Sequence, residues 1–435
     1  MAITQRGLIL GATALASAAV VITGTGIHLS DGQAFFKESP KELIDEVWQL
    51  IDNDYVDGSF NSLNWTEVRT SYLNRSYTDQ EEAYTAVREM LKKLDDPYTR
   101  FMDPEEFKSM QIDTSGELTG VGITITQEEE TNNIVVVSPI EDTPAFEAGL
   151  LSGDVITSID GQSTEGMELN DAVNLIRGPV NSKVKISVTR EEKPLEFEIA
   201  RAQIEIHPVK YSVESGPEGT VGYIRLAQFS ANASDEMREA IKALEKRDVT
   251  GYVLDLRSNP GGLLFSSIDI AEMFIDEGKI VSTVDRNSVS DEEVAKHQAI
   301  TDRPLVVLVD GGSASASEIL SGALQDNHRA ELVGTQTFGK GLVQSVRGLA
   351  DGSGVAVTIA KYLTPLGRDI NKLGIEPDYV VELSEDQREE LVKNRDQVGT
   401  MADPQYSKAI EVLTDAIRTQ QNSASTVGAS TPAAK

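Results

Sequence analysis

The residues of this chain best suited to covalent chemistry are a run of serines and one lysine. Gly312-Ser-Ala-Ser-Ala-Ser-Glu318 follows the apolar run Leu305–Val309 and leads into a helical pattern that begins at Glu318. A strand ending in such a turn delivers a hydroxyl to a helix N-terminus, where backbone N–H groups and the positive end of the helix dipole favour a developing anion. Lys340, in the turn Gly339-Lys-Gly341, follows Ser315 by 25 residues. A serine and a lysine with no histidine beside them are the minimum set for nucleophilic hydrolysis with an amine as base. A free lysine amine, pKa about 10.4, must drop by roughly three units to accept a proton near neutrality, at a cost of ~4 kcal/mol. Burial against Phe338, Leu342 and their apolar neighbours would supply this by desolvation. His328, thirteen residues past Ser315, reads as a surface residue.

Each feature has a plainer reading. Ser315-Ala-Ser-Glu318 is a capping box, and polar punctuation before a helix is common. Gly334-Thr-Gln-Thr-Phe-Gly-Lys340 matches the start of the phosphate-binding pattern G-x-x-x-x-G-K-[ST]. That match fails at Gly341, where the magnesium-binding hydroxyl belongs, and Leu342-Val-Gln-Ser-Val is strand-like rather than helical. A third stretch weighs against both readings. Gly251-Tyr-Val-Leu-Asp-Leu-Arg-Ser-Asn-Pro-Gly-Gly262 is another strand ending in a glycine turn, with N–H donors at Gly261 and Gly262. Two strand ends that offer such donors beside a serine are what an oxyanion hole requires.

The elements that must hold these groups fall into blocks. Residues 36–112 show helical periodicity at Leu43, Val47, Leu50 and Ile51 and again at Ala83, Ala86, Val87, Met90 and Leu91, so a small helical domain is expected. Residues 113–202 alternate short β-rich runs with helical stretches at 145–148 and Leu169–Ile176, separated by turn signals. In residues 203–385, strands at 221–226, 253–256, 305–309 and 355–360 alternate with helices near 233–244, 268–274 and 318–324, which predicts an α/β core. Residues 386–420 read as a charged helical segment, and 421–435, rich in Ser, Thr and Ala, as a disordered tail. At the start, Arg6 precedes an uncharged apolar stretch, so residues 1–35 read as an export signal or a membrane anchor and the mature protein as extracytoplasmic.

Composition narrows the function. A net charge of −31 without basic clusters excludes a nucleic-acid partner. The absence of cysteine excludes disulfides, zinc–thiolate sites and thiol nucleophiles. Four histidines and no H-E-x-x-H pattern leave little for a metal, so neither metal nor cofactor is expected.

Residues 113–202 resemble a PDZ domain. The resemblance is carried by Leu118-Thr-Gly-Val-Gly-Ile123, by Ser138-Pro-Ile-Glu-Asp-Thr-Pro-Ala-Phe-Glu-Ala-Gly-Leu-Leu-Ser-Gly-Asp-Val-Ile-Thr-Ser-Ile-Asp-Gly161 and by Asp171-Ala-Val-Asn-Leu-Ile-Arg-Gly178. Such domains capture a peptide C-terminus by adding it as a strand. By position, Thr119, Gly120, Val121 and Gly122 would form the carboxylate loop, and Ile123, Ile125, Val173 and Ile176 the side-chain pocket. Arg177 is a further candidate, for sensing ligand or latching the module.

Several motifs together resemble the carboxyl-terminal processing proteases, Ser-Lys peptidases of bacteria and chloroplasts. They are Leu254-Asp-Leu-Arg-Ser-Asn-Pro-Gly-Gly262, the serine run, Gly339-Lys-Gly-Leu-Val-Gln344, Tyr362-Leu-Thr-Pro365, Gly374-Ile-Glu-Pro-Asp378 and, upstream, Asp95-Asp-Pro-Tyr-Thr-Arg-Phe-Met102. The nearest likeness is to the cyanobacterial and plastid branch that trims the precursor of a photosystem II reaction-centre subunit. The resemblance implies Ser315 as nucleophile, Lys340 as general base, Gln344 as the residue that orients the amine, and the N–H groups of Gly261 and Ala316 as oxyanion hole. Ser258 and Pro260 depart from the family pattern without removing a needed group. The expectation is a multidomain α+β protein with a helical N-terminal region, a PDZ-like β-rich module and a ClpP/crotonase-like α/β serine protease core. It would act in the periplasm or thylakoid lumen on proteins or peptides with free C-termini, with N-terminal membrane anchoring and a homodimer left open. The alternative is a non-catalytic PDZ scaffold or chaperone for exported proteins.

Overall fold

Leu305–Val309 forms a strand buried at every residue, as an uninterrupted apolar run does when its sheet is covered on both faces. The computed structural model describes residues 39–128, 131–140, 143–288 and 290–428. In it, this strand lies in a six-stranded sheet ordered Val209–Gly216, Gly219–Leu226, Gly251–Asp255, Leu305–Val309, Glu331–Gly334, Tyr379–Val380. The first pair is antiparallel and the others are parallel. Leu305, Val307 and Val309 share a hydrophobic cluster with the helices Ala233–Glu245, Leu264–Phe274 and Ala316–Asp326. Val306 and Leu308 cluster instead with Tyr406, Ala409, Ile410 and Leu413 of the helix Pro404–Gly428. This alternation is the two-residue period of a strand. Because the central strands are parallel, their C-terminal ends share one edge, and the turns at 256–263, 310–315 and 335–341 all leave from it.

A second, antiparallel sheet runs Arg100–Met102, Gly354–Leu363, Lys279–Asp285, Ser290–Val294, and Leu342–Gly348 also pairs with Gly354–Leu363. The helices Pro40–Asp54, Trp65–Leu73 and Gln80–Lys92 each start on a side-chain cap, Ser39, Asn64 and Asp79. Their apolar stripes, at three- and four-residue spacing, cluster with Phe101, Leu349, Val355 and Val357 of the sheet region. The helical region expected as a domain of its own therefore shares a core with the second sheet. It belongs to one compact unit with the chain from His207 onward.

Ser115–Ile206 form the other compact unit. Its sheet runs Ile123–Gln127, Ile134–Pro139, Val155–Ile159, Lys183–Arg190, Lys193–Ala200, so Ile123–Gln127 is an edge strand. Glu117–Gly120 pairs with Ala202–Glu205. The helices are Pro144–Glu147 and Leu169–Ile176, and Arg201, buried, donates to the carbonyls of Leu175 and Ile176 at 2.8 Å each, capping the second.

Two expectations about the C-terminus are corrected. The expected helical segment at 386–420 is two helices, Glu385–Lys393 and Pro404–Gly428, separated at Asn394–Asp403. The second runs eight residues into the stretch expected to be disordered from 421, because its apolar stripe from Tyr406 to Ile417 anchors it on the central sheet. The expected signal or anchor at 1–35 and the end of the tail at 429–435 lie outside the described residues. Among the described residues no helix is long and apolar enough to cross a membrane.

Candidate active site

Ser315 sits where the strand Leu305–Val309 turns into the helix Ala316–Asp326, with φ 55° and ψ −113°. That region is unfavourable for a residue with a Cβ, at a cost of about 1–3 kcal/mol, and persists only where the surroundings over-determine it. Here they do. The Ser315 N–H donates to Glu318 Oε2 at 2.9 Å. The Ser315 carbonyl accepts from the N–H groups of Glu318 (2.8 Å) and Ile319 (3.0 Å) and from the Tyr362 hydroxyl (3.1 Å). The capping-box arrangement is kept, but the hydroxyl makes no cap hydrogen bond: the Glu318 N–H is served by the Ser315 carbonyl. Ser315 is thus a helix-start residue whose side chain is not committed to capping.

Glu318 is fully buried and joins the two turns. Oε2 also accepts from the Lys340 N–H (2.9 Å), while Oε1 accepts from the Gly339 N–H (2.8 Å) and the Thr337 hydroxyl (2.5 Å). Tyr362 ties the same pair again, since its hydroxyl donates to the carbonyls of both Ser315 and Lys340. Burial holds that phenol well above the ordinary tyrosine range, so it stays a donor. Gly341 is required by close approach: a Cβ there would lie 2.7 Å from the Asn371 N.

Ser315, Lys340 and Gln344 line one cavity of about 160 Å³ with Pro260, Gly262, Ile319, Leu342, Val343 and Tyr362. Burial, and then the nearby Arg100 charge, push the Lys340 amine below the usual lysine range, against the smaller opposing pull of Asp96 and Glu318. The expected desolvation is present, although Phe338, read as part of the lysine's wall, is itself 59% exposed. Gln344 Nε2 is buried without a hydrogen-bond partner. A buried unmade donor costs about 1–3 kcal/mol.

Gly261 approaches Ser315 as closely as backbone allows. With φ +101°, a Cβ on it would lie 2.9 Å from both Ser315 Cβ and Ala316 N. Its N–H, however, donates to Asn259 Oδ1 at 2.9 Å, and the glycine that lines the cavity is Gly262. Ala316 is the first helical residue, whose N–H has no acceptor within its helix. His328 is exposed, in the turn after the helix, and lines a different cavity. Asp276, Glu277 and His297, close enough to share a metal ion, are exposed and also lie away from this site.

In the module of residues 115–206 the expected peptide-binding residues separate. Thr119 and Gly120 lie in a paired strand, opposite Gln203 and Ala202. Val121 and Gly122 form the turn into the edge strand, their carbonyls accepting from the N–H groups of Ala145 (2.8 Å) and Ile140 (2.9 Å). Ile123 and Ile125 on that strand are half-buried, as is Val173 on the helix, whereas Val121 and Ile176 are core residues. Arg177 is the residue just past the helix, its N–H bonded to the Val173 carbonyl at 2.9 Å.

Two contributors were not picked out from the sequence: Glu318 as a link between the turns, visible only as the last residue of a capping box, and Tyr362, visible only as the first residue of Tyr362-Leu-Thr-Pro365.

Comparison with known proteins identifies the family of the chain. Residues 220–381 match peptidase family S41, and residues 135–190 match the PDZ domain. The carboxyl-terminal-processing protease of Synechocystis sp. is 46% identical over 393 residues, 90% of each chain. The chloroplastic carboxyl-terminal-processing peptidase 2 of Arabidopsis thaliana is 41% identical over 346 residues, 77% of this chain and 67% of its own. The solved structure of a photosystem II D1 C-terminal processing protease is 38% identical, with a TM-score of 0.52 over 79% of this chain and 93% of its own. This is a serine peptidase of the S41 type that carries a PDZ domain. Within that class, the chain belongs to the carboxyl-terminal-processing protease family.

Proposed function

We propose that Ser315 and Lys340 form the catalytic dyad, with Gln344 as the residue that orients the amine. The observation that carries this is the Glu318 carboxylate, which accepts from the backbone N–H of both residues and so brings them to one cavity. The free amine takes the Ser315 Oγ proton as Oγ bonds to the scissile carbonyl carbon. The Ala316 N–H polarises the oxyanion, with the Gly261 N–H once it exchanges Asn259 Oδ1 for the substrate oxygen. Collapse breaks the C–N bond, and the ammonium returns its proton to the leaving amine. Water then attacks the acyl carbon, losing a proton to Lys340, and collapse breaks the ester bond as the ammonium returns that proton to Ser315 Oγ.

Substrates are proteins recognised by a free C-terminus, which adds as a strand along the unpaired edge of Ile123–Gln127 with its carboxylate at Val121 and Gly122. Residues 1–35 direct the chain out of the cytoplasm, as a cleaved signal or a retained anchor. Given the solved relative that processes D1, a precursor with a C-terminal extension of that kind is the substrate to try first.

The test is a peptide with an apolar free C-terminus against its amidated twin. The wild type should cleave the free form alone, and Ser315→Ala and Lys340→Arg should fold yet not turn over. Ordinary cleavage by either variant would sink the dyad, and equal cleavage of both peptides would sink C-terminal recognition.

A further inference from the structure

The amine of Lys340 lies 5.0 Å from the centre of the Tyr98 ring, within cation–π range. Tyr98 belongs to the loop between the helix Gln80–Lys92 and the strand Arg100–Met102, far from Lys340 in sequence. That loop is nailed down by one carboxylate. Asp96 Oδ1 accepts from the Tyr98 N–H at 2.9 Å, and Oδ2 accepts from the hydroxyls of Thr99 and Thr358 at 2.7 Å each. Thr99 Oγ1 in turn accepts from the Thr358 N–H at 3.0 Å. Thr358 is fully buried, and in the paired strands it stands opposite Gln344. The loop that carries the ring is therefore tied to the strand Gly354–Leu363, which pairs with the strand that carries the orphaned Gln344 amide.

We propose that Tyr98 is a positioning residue for Lys340: its ring, locked by Asp96 to the strand opposite Gln344, holds the amine in place and favours its ammonium form. The N-terminal helical region thereby sets the pH at which the protease core switches on. The inference rests on the assignment of Lys340 as general base.

The charged and titratable groups facing the amine come from four elements. They are Asp96 and Tyr98 in the loop, Arg100 in the short strand, Glu318 in the helix, and Tyr362 in the long strand of the second sheet. Arg100 opposes the ammonium, but it is solvent-exposed and its charge is partly screened. Asp96 and Glu318 favour the ammonium, yet their oxygens are already engaged by hydroxyl and N–H donors. The ring face adds a contribution that needs no charge and survives in phenylalanine.

The test compares Tyr98→Leu and Tyr98→Met, which keep apolar volume without a π face, with Tyr98→Phe. In the pH profile of kcat/KM, the acidic limb reports the amine. The aliphatic variants should move that limb to lower pH by roughly half to one unit, while Tyr98→Phe stays at the wild-type position. The amine is also read without catalysis, by the pH dependence of Lys340 acetylation with trace acetic anhydride in the Ser315→Ala background, followed by peptide mass spectrometry. An amine pKa unmoved in the aliphatic variants, or moved equally by phenylalanine, overturns the role of Tyr98. An amine that shifts while the rate limb does not leaves the role of Tyr98 standing and refutes Lys340 as base.

Discussion

Replacing Glu318 by glutamine keeps the shape of the side chain and turns one of its two acceptors into a donor. The carboxylate serves three backbone N–H groups, of Ser315, Lys340 and Gly339, and one hydroxyl, of Thr337. Only the hydroxyl can reverse. If the new NH₂ takes the Oε2 place, two N–H groups lose their acceptor. If it takes the Oε1 place, Gly339 alone does, so the amide will settle there. Hydrogen bonds to a charged group are worth about 1.5–3 kcal/mol, and an unsatisfied buried donor costs about 1–3 kcal/mol. The surviving bonds to Ser315 and Lys340 also weaken from charge-assisted to neutral, which roughly halves them. The total, about 3–5 kcal/mol, falls on the two turns whose spacing brings Ser315 and Lys340 together. We therefore expect Glu318→Gln to fold with a lower Tm and to lose about 10²-fold or more in kcat, with KM for a free-C-terminus peptide nearly unchanged. Loss of the negative charge should also move the acidic limb of the rate profile to lower pH, since Glu318 favours the ammonium. A variant with reduced Tm and wild-type kcat would refute the argument, because Glu318 would then support the fold alone.

Three other predictions come from the same geometry. Lys340→Met should abolish turnover yet raise Tm near neutral pH. The unfolded chain holds a proton on this amine at pH values where the folded one has released it, so wild-type stability rises with pH between the two and the methionine variant lacks that dependence; equal Tm–pH curves would contradict this. Gly122→Ala places a Cβ 2.4 Å from Thr143 Cβ at φ +82°, so it should raise KM for long substrates and lower the stability of residues 115–206 in hydrogen exchange, leaving kcat on a short peptide intact. Asp403→Ala removes a carboxylate 2.8 Å from buried Arg257, which also binds Asp255 and Gln405, and should cost roughly 3–5 kcal/mol in urea unfolding.

How much was legible in the sequence depended on how local the cause was. Leu305–Val309 and Leu169–Ile176 are found at the boundaries expected, because burial on both faces and an amphipathic stripe each write themselves into consecutive residues. The strand Arg100–Met102 leaves no signal in the sequence, since its partners, Gly354–Ala356, lie some 250 residues away and three residues hold no period. For the same reason the helical region looked like a domain, when its stripe is completed by Val355 and Val357. The long C-terminal helix is expected to end at 420 because its apolar stripe stops at Ile417 and the residues beyond are small and polar, with nothing local to mark the last two turns.

The serine turn shows why the site itself was harder. A helix cap and a nucleophile present the same letters, Ser-x-x-Glu, and differ only in which groups those letters serve. In a cap, the hydroxyl satisfies the N–H of the third helical residue. Here the Ser315 carbonyl does so, which requires the backbone to enter φ +55° and leaves the hydroxyl unspent on the helix. The Glu318 carboxylate keeps its half of the box and adds Thr337, Gly339 and Lys340, residues that arrive only after a strand and a turn. The motif has not been discarded in favour of chemistry. It holds Ser315 in a conformation the residue would not otherwise keep, and the same carboxylate holds the backbone of Lys340, the base proposed for it.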